Sequence, residues 1–377
     1  MTRRRRSAGS AVRPRYSALT ASCVLLVATG CLGPAPTRPS PAPTPSVSST
    51  AAATPTGASV TATDADFDKD GFPDVALGGG LSEGGDGDDG VVLVVYGSGQ
   101  GLNPQRTQAW SETDFGGRVT QSFGGALATG DFDGDGFSDL AVGSADAPVD
   151  AAKEHAGFVR IIYGTPAGLA TARSQRWSQN SPGVTDHAKF ADGFGDALAA
   201  ANLGFSPHDD LAIGVHGEDD DAGAVNVLYG TSDGLSARHD QLWTQATPGI
   251  ADTPEQREAF GSTLVAGRFR QTAYADLAVG VYNETVEGVS GVGAVHIING
   301  SDRGLTSRGS RMWTHPAFGD GKGNEPAAFS FAMAAGPFTG GPSDDPAVGA
   351  PSASNNTGTV IYGSISGLRP ERVQVWS

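Results

Sequence analysis

Residues 131–143 read Asp131-Phe132-Asp133-Gly134-Asp135-Gly136-Phe137-Ser138-Asp139-Leu140-Ala141-Val142-Gly143. Residues 66–78 repeat the plan as Asp66-Phe67-Asp68-Lys69-Asp70-Gly71-Phe72-Pro73-Asp74-Val75-Ala76-Leu77-Gly78. Each stretch places acids at loop positions 1, 3, 5 and 9 and glycine at position 6, then enters a short apolar run that stops at glycine. A tight polar turn followed by so short an apolar run signals a β-strand rather than a helix. The run recurs as Asp210-Leu211-Ala212-Ile213-Gly214, Asp276-Leu277-Ala278-Val279-Gly280 and Asp345-Pro346-Ala347-Val348-Gly349.

Working outward, the same unit carries further fixed marks. A Tyr-Gly or Asn-Gly pair begins at Tyr96, Tyr163, Tyr229, Asn299 and Tyr362, with Gly-Leu following at Gly101, Gly168, Gly234, Gly304 and Gly367. Tryptophan closes each unit at Trp110, Trp177, Trp243, Trp313 and Trp376, which uses all five tryptophans of the chain. Four units open with an aromatic-small pair, at Phe123, Phe194, Phe260 and Phe329; the first lacks it. Each unit therefore predicts four short strands, in an all-β fold. The repeats fall at about 61–112, 122–179, 193–245, 259–315 and 329–377. A unit of 63–70 residues with four strands suits a β-propeller blade, because a lone blade cannot bury both faces of its sheet. The 55 glycines among 377 residues fit many tight turns.

The Phe-Gly pair followed by Asp-x-Asp-x-Asp-Gly-x-x-Asp-Leu-x-Val-Gly resembles the FG-GAP repeat of integrin α-subunit propellers and their bacterial relatives. The resemblance covers residues 61–377 and implies a propeller with cation-binding hairpin loops. Well-known members have seven blades, so five repeats imply either a five-bladed toroid or an incomplete ring that needs a partner.

Loop chemistry points the same way. Carboxylates converging on one turn repel unless a hard cation takes them, and flexible oxygen ligands favour calcium over magnesium. The expected ligands are Asp66, Asp68, Asp70, Asp74 and the Phe72 carbonyl in the first loop, and Asp131, Asp133, Asp135, Asp139 and the Phe137 carbonyl in the second. Two calcium ions are thus expected, one per loop. The third repeat offers only Asn202, Gly204, Ser206 and Asp210; the fourth places Arg268 and Arg270 where cation ligands would stand; the fifth has Pro337, Thr339 and Gly341. The ninth-position aspartate persists in all five, which predicts a structural role in accepting backbone N–H groups.

Strand connections alternate between the two rims of a propeller. The 1–2 and 3–4 connections keep constant length, whereas the 2–3 and 4–1 connections vary, and variable loops on a rigid scaffold are where binding concentrates. That rim carries Asp86, Asp88, Asp89, Glu154, His155, His216, Glu218, Asp219, Tyr282 and Asn283. Its acidity suits a cationic or polyhydroxyl ligand, so a binding module for an extracellular protein or glycan is expected rather than an enzyme. The sequence holds no HExxH, Gly-x-Ser-x-Gly or strand-linked phosphate loop. A glycan-cleaving hydrolase or lyase using rim carboxylates is the alternative.

The N-terminus concerns export. Arg3 to Arg6, Arg13 and Arg15 precede an apolar stretch too short to span a bilayer, which reads as a signal peptide over 1–31. Its end, Val27-Ala28-Thr29-Gly30-Cys31, resembles a lipobox, implying acylation of Cys31 and a lipid anchor on the extracellular side; otherwise the product is secreted. Residues 32–60, rich in Pro, Ala, Ser and Thr, read as an extended linker. Both cysteines lie in the leader, so no disulfide secures the domain. A net charge of −16 argues against nucleic acid or anionic lipid as partners.

Overall fold

The computed structural model describes residues 65–80, 90–118, 120, 122–149, 154–314, 326–351, 357–361, 363, 367–369 and 373–376. The leader with Cys31, the linker and the rim residues Asp86, Asp88 and Asp89 lie outside them. Among the described residues no helix is long and apolar enough to cross a membrane.

Five antiparallel meander sheets follow the repeats. Blade 1 contains β1 (Val75–Gly80), β2 (Gly90–Val95) and β3 (Thr107–Trp110); its first strand would fall in residues outside the described set. Blade 2 contains β4 (Ala126–Gly130), β5 (Asp139–Ser144), β6 (Phe158–Tyr163) and β7 (Ala170–Trp177). Blade 3 is built from β8 (Leu198–Ala201), β9 (Asp210–Val215), β10 (Ala224–Thr231) and β11 (Gly234–Trp243). Blade 4 uses β12 (Thr263–Gly267), β13 (Asp276–Val281), β14 (Ala294–Ser301) and β15 (Gly304–Thr314). Blade 5 ends the series with β16 (Ala332–Gly336), β17 (Asp345–Ala350), β18 (Thr357–Ile361) and β19 (Val373–Trp376). The fold is an all-β propeller arrangement.

The repeated residues earn their places at the joints between blades. β5 and β6 are buried along their whole length because both faces of the sheet meet a neighbour. Gly143 lies so close to blade 3 that an added Cβ would sit 2.1 Å from the Gly195 carbonyl oxygen, so only glycine fits. Gly157, at φ 81°, likewise receives the Phe194 backbone at 2.4 Å. The Phe-Gly aromatics Phe123, Phe194, Phe260 and Phe329 are all sealed into these joints.

A tyrosine latch ties successive blades at the other rim. Tyr163 Oη donates to Gln175 Oε1 (2.7 Å) and accepts the Leu235 N–H of the next blade (3.1 Å), while Gln175 Nε2 donates to the Leu235 carbonyl (3.1 Å). Tyr96 with Gln108 and Tyr229 with Gln241 repeat it. In blade 4 the Tyr position is Asn299, whose amide turns back to the Arg308 carbonyl (2.9 Å).

Four buried clusters join blades 1–2, 2–3, 3–4 and 4–5. Among the described residues none joins blade 5 to blade 1. The second residue of each first-connection loop makes the point: Phe67, Phe132, Leu203 and Phe269 are fully buried, while Phe338 of blade 5 is 54% exposed. On the opposite end Leu93 of blade 1 is 38% exposed, where its equivalents His296 and Asn226 are buried. The blade 1 loop also lacks the joint donor that the other four loops supply. The Ser138, Asp209, Ala275 and Asp344 N–H groups each reach the preceding blade's loop carbonyl (2.8–3.1 Å). The equivalent in blade 1 is Pro73, which has no N–H.

Candidate metal centres and the variable rim

Each acid-rich loop is folded by its own backbone. Asp66 takes the Asp70 N–H (3.0 Å) on Oδ1 and the Gly71 N–H (2.9 Å) on Oδ2; Asp131 Oδ2 takes the Gly136 N–H (3.0 Å). Gly71 and Gly136 stand at φ 89° and 85°, the turn that brings the acids together. Carboxylate oxygens of Asp66, Asp68 and Asp74 lie within 4.8 Å of one another, as do those of Asp131, Asp133 and Asp139. Asp70 and Asp135 fall outside these groups, and each accepts the N–H of its own position-7 neighbour, Phe72 or Phe137 (3.0 Å).

The ninth-position aspartate is the hinge of every loop. Asp139 Oδ2 accepts the Phe132 N–H (2.9 Å) and its Oδ1 accepts the Gly164 N–H (2.9 Å), which ties the loop to the Tyr-Gly turn. Asp74 and Asp210 repeat both bonds, Asp345 takes the Gly363 N–H and, one residue further along its loop, the Thr339 N–H (2.9 Å), and Asp276 takes the Gly300 N–H (3.0 Å). Burial pushes the Asp74 carboxyl up to about 6 and the Asp139 carboxyl up to about 8, and it raises Asp131 as well. Burying several negative charges together is costly unless a cation joins them. Asp131 Oδ1 is also buried without a hydrogen bond. An orphaned acceptor beside two further acids fits a hard cation, so Asp66, Asp68 and Asp74, and Asp131, Asp133 and Asp139, are the residues that would hold calcium.

The remaining loops replace the metal differently. In blade 4 the Arg270 guanidinium binds both oxygens of Asp276 (2.5–3.0 Å) and the Gly300 carbonyl (2.9 Å), so the cation is covalently supplied. In blade 3 Phe205, at φ 60°, packs edge-on to Tyr229 and stacks flat on His239, both at 4.6 Å.

Two arginines that the sequence reading passed over face the acid loops. Arg173 Nη1 lies 2.9 Å from Asp133 Oδ2, and Arg106 pairs with Asp68 and stands 3.7 Å from Asp70. Their guanidinium groups lie over the latch tyrosines Tyr163 (5.1 Å) and Tyr96 (4.5 Å). The signal was present, since both fall ten residues after the Tyr of Tyr-Gly.

On the variable rim the expected residues separate into groups. His216 Nδ1 pairs with Asp196 Oδ2 (3.1 Å), and His155 Nδ1 stands 3.5 Å from Asp146. Nearby acids, Asp196 first, raise the His216 pKa against the opposing effect of burial. Tyr282 packs edge-on to Phe331 at 5.9 Å, and the Asn283 amide donates to the Arg257 carbonyl (2.6 Å). The Glu154 carbonyl accepts the Ala191 N–H (3.1 Å). Glu218 corrects the expectation of a rim ligand: it is 1% exposed and saturated by Gln179 Nε2 (2.6 Å) and the Lys189 ammonium. Asp219 does face the rim, in a left-handed run with Asp220 and Asp221 at φ 49°, 60° and 65°. These aspartates, with Lys189, Phe190, Gln256 and Arg257, line an open polar cleft of about 660 Å³.

Buried glutamates and glutamines two residues after the tryptophans went unread. Glu112 pairs with Arg160, and Gln245 Nε2 donates to Glu284 Oε2 (2.7 Å) beside Glu258. All are sealed between blades.

Comparison with solved structures gives low-scoring matches to three rhamnogalacturonan lyases. The Bacillus licheniformis rhamnogalacturonan lyase PL11 matches with a TM-score of 0.33 at 12% identity, covering 71% of this chain and 49% of that one. Rhamnogalacturonan lyase YesW gives 0.35 at 13% identity (70% and 48% covered), and the exotype lyase YesX gives 0.34 at 13% (71% and 47%). The chain spans about half the length of these lyases. At the level of sequence the FG-GAP repeat family model matches residues 123–162, which run from the Phe-Gly pair of blade 2 through most of its third strand. With five sheets built to one plan, the chain is a β-propeller that carries a recognised FG-GAP repeat at residues 123–162.

Proposed function

We propose that this protein is an exported, lipid-anchored surface binding module whose propeller is secured by calcium in blades 1 and 2 and whose variable rim takes an extracellular protein or glycan. The observation that carries the calcium part is the convergence of three carboxylates within 4.8 Å in each loop, with Asp131 Oδ1 left unpaired and buried. Calcium would supply there the positive charge that lets these acids stay ionised; the loops supply the turn that gathers them. Calorimetric titration of the mature chain is expected to find two calcium sites, and finding none, or five, defeats this part of the reading.

The cleft beside Asp219 to Asp221 supports recognition of a polyhydroxyl or cationic ligand, since it offers acids, Lys189, Arg257 and the exposed ring of Phe190. Retention on a glycan or extracellular-protein array, weakened by Asp219→Ala, is the expected result. A second reading, glycan cleavage, is favoured by the His216–Asp196 pair near Asp221, groups able to exchange protons. Release of oligosaccharide that is abolished in Asp196→Asn would select it. Palmitate labelling is expected to be lost in Cys31→Ala, and labelling that survives there would exclude Cys31 as the anchor.

A further inference from the structure

The loops that carry calcium-type acids each face an arginine from the fourth strand or its approach, and the loops of blades 3 and 4 do not. Arg106 and Arg173 stand at the same repeat position, and the equivalents are His239 in blade 3 and Gly309 in blade 4. His239 meets the aromatic Phe205 instead of an acid, and Gly309 makes no demand on a loop already filled by Arg270. Repeat 5 has Arg372 there, outside the described residues.

The pairing is specific in its atoms. Asp133 turns Oδ1 to the Asp135 N–H (3.3 Å) and Oδ2 to Arg173; Asp68 turns Oδ1 to the Asp70 N–H (3.3 Å) and Oδ2 to Arg106. Both aspartate side chains are almost wholly buried, at 2% exposure, while the arginines are 39% and 54% exposed and rest over a tyrosine ring. The guanidinium therefore neutralises a carboxylate that solvent cannot reach, yet it keeps a path to solvent and an aromatic face to remain on.

We propose that Arg106 and Arg173 are affinity-setting counter-ions of the two loops, holding the third-position aspartate when the loop is empty and opposing calcium when it arrives. The proposal rests on the calcium reading of these loops. It assigns the arginines two effects of opposite sign: they stabilise the metal-free protein and weaken metal binding. A residue that merely props the loop would favour both states alike.

The test uses calcium alone as probe, titrated calorimetrically into the mature chain and its Arg173→Gln and Arg106→Gln variants, with melting measured in chelator. Each variant is expected to bind calcium at one site roughly tenfold more tightly, the effect of removing one like charge beside a divalent ion in a solvated loop. Each is also expected to melt earlier than wild type in chelator. Unchanged or weaker calcium binding in both variants overturns the proposal. If wild type takes up no calcium but either variant does, the opposition is upheld. If none of the three binds it, the calcium reading itself falls and this proposal with it. Arg173→Lys keeps the charge and is expected to stay near wild-type affinity.

Discussion

The first-connection loops of blades 2 and 4 solve one problem with opposite chemistry. Both must pull a hairpin tight over a buried ninth-position aspartate, Asp139 or Asp276, that bonds the following Gly164 or Gly300 N–H. Blade 2 gathers further acids around that aspartate and so calls for an outside cation. Blade 4 inserts Arg270, whose guanidinium meets both Asp276 oxygens and the Gly300 carbonyl. The Asp276 pKa is raised by burial and drawn back down by Arg270. The comparison teaches that the aspartate is the architectural constant, while the cation's source is free to change.

The comparison breaks most visibly at Asp276. Asp276→Ala removes the partner of Arg270 and the acceptor of the Gly300 N–H, and an uncompensated buried charge costs about 3–5 kcal/mol. Denaturant unfolding should show that loss at any calcium concentration. A residue-2 pair sharpens it next: Phe132→Ala empties a sealed joint and should cost about 3–5 kcal/mol, while Phe338→Ala, on an open end face, should cost less than about 1 kcal/mol. Equal losses would mean that something covers blade 5 in solution.

Calcium itself should separate the two loops. Saturating to a hundred times Kd is expected to add about 2.7 kcal/mol per site. Asp133→Ala should remove about half of the calcium-dependent rise in Tm, and Arg270→Met none of it. The smallest expected effect concerns a second contrast between blades 3 and 4. Blade 3 sets Lys189 on the buried Glu218, whereas blade 4 has Glu255 in the equivalent place beside the buried Glu258 and Glu284. Burial first, then Glu258, raises the Glu284 pKa, so the folded state holds a proton that the unfolded chain releases. Stability must then fall as pH rises above the ordinary glutamate range. Glu284→Gln should flatten that fall and gain roughly 1–2 kcal/mol at pH 8. A variant whose stability tracks wild type from pH 6 to 9 would count against it.

Much of this was readable in advance because a repeat prints its constraints several times. Tyr-Gly, Gly-Leu and Trp at constant spacing disclosed the four-strand unit, and the acids at positions 1, 3, 5 and 9 disclosed the loops. In the structure the carboxylates within 4.8 Å of one another are those at positions 1, 3 and 9, while Asp70 and Asp135 each accept the N–H of their position-7 neighbour. The arginines, the latch glutamines Gln108, Gln175 and Gln241, and the buried Glu112, Gln179 and Gln245 recur in only some of the repeats and went unseen. The latch glutamines act between blades on partners 60 or more residues away, as with Gln175 and Leu235, and the arginines meet acids about 40 residues away within their own blade; neither separation leaves a local pattern.

What the linear order of residues determined is the blade: strand length, turn placement and the loops able to collect charge, all set by contacts within one unit. What only the assembled fold decided is which of those groups meet across a joint. That is why Phe338 stays exposed where Phe132 is sealed, and why Glu218 is buried on Lys189 instead of lining the rim. Burial and pairing depend on a neighbour's surface, and no spacing along the chain encodes whether that neighbour is there.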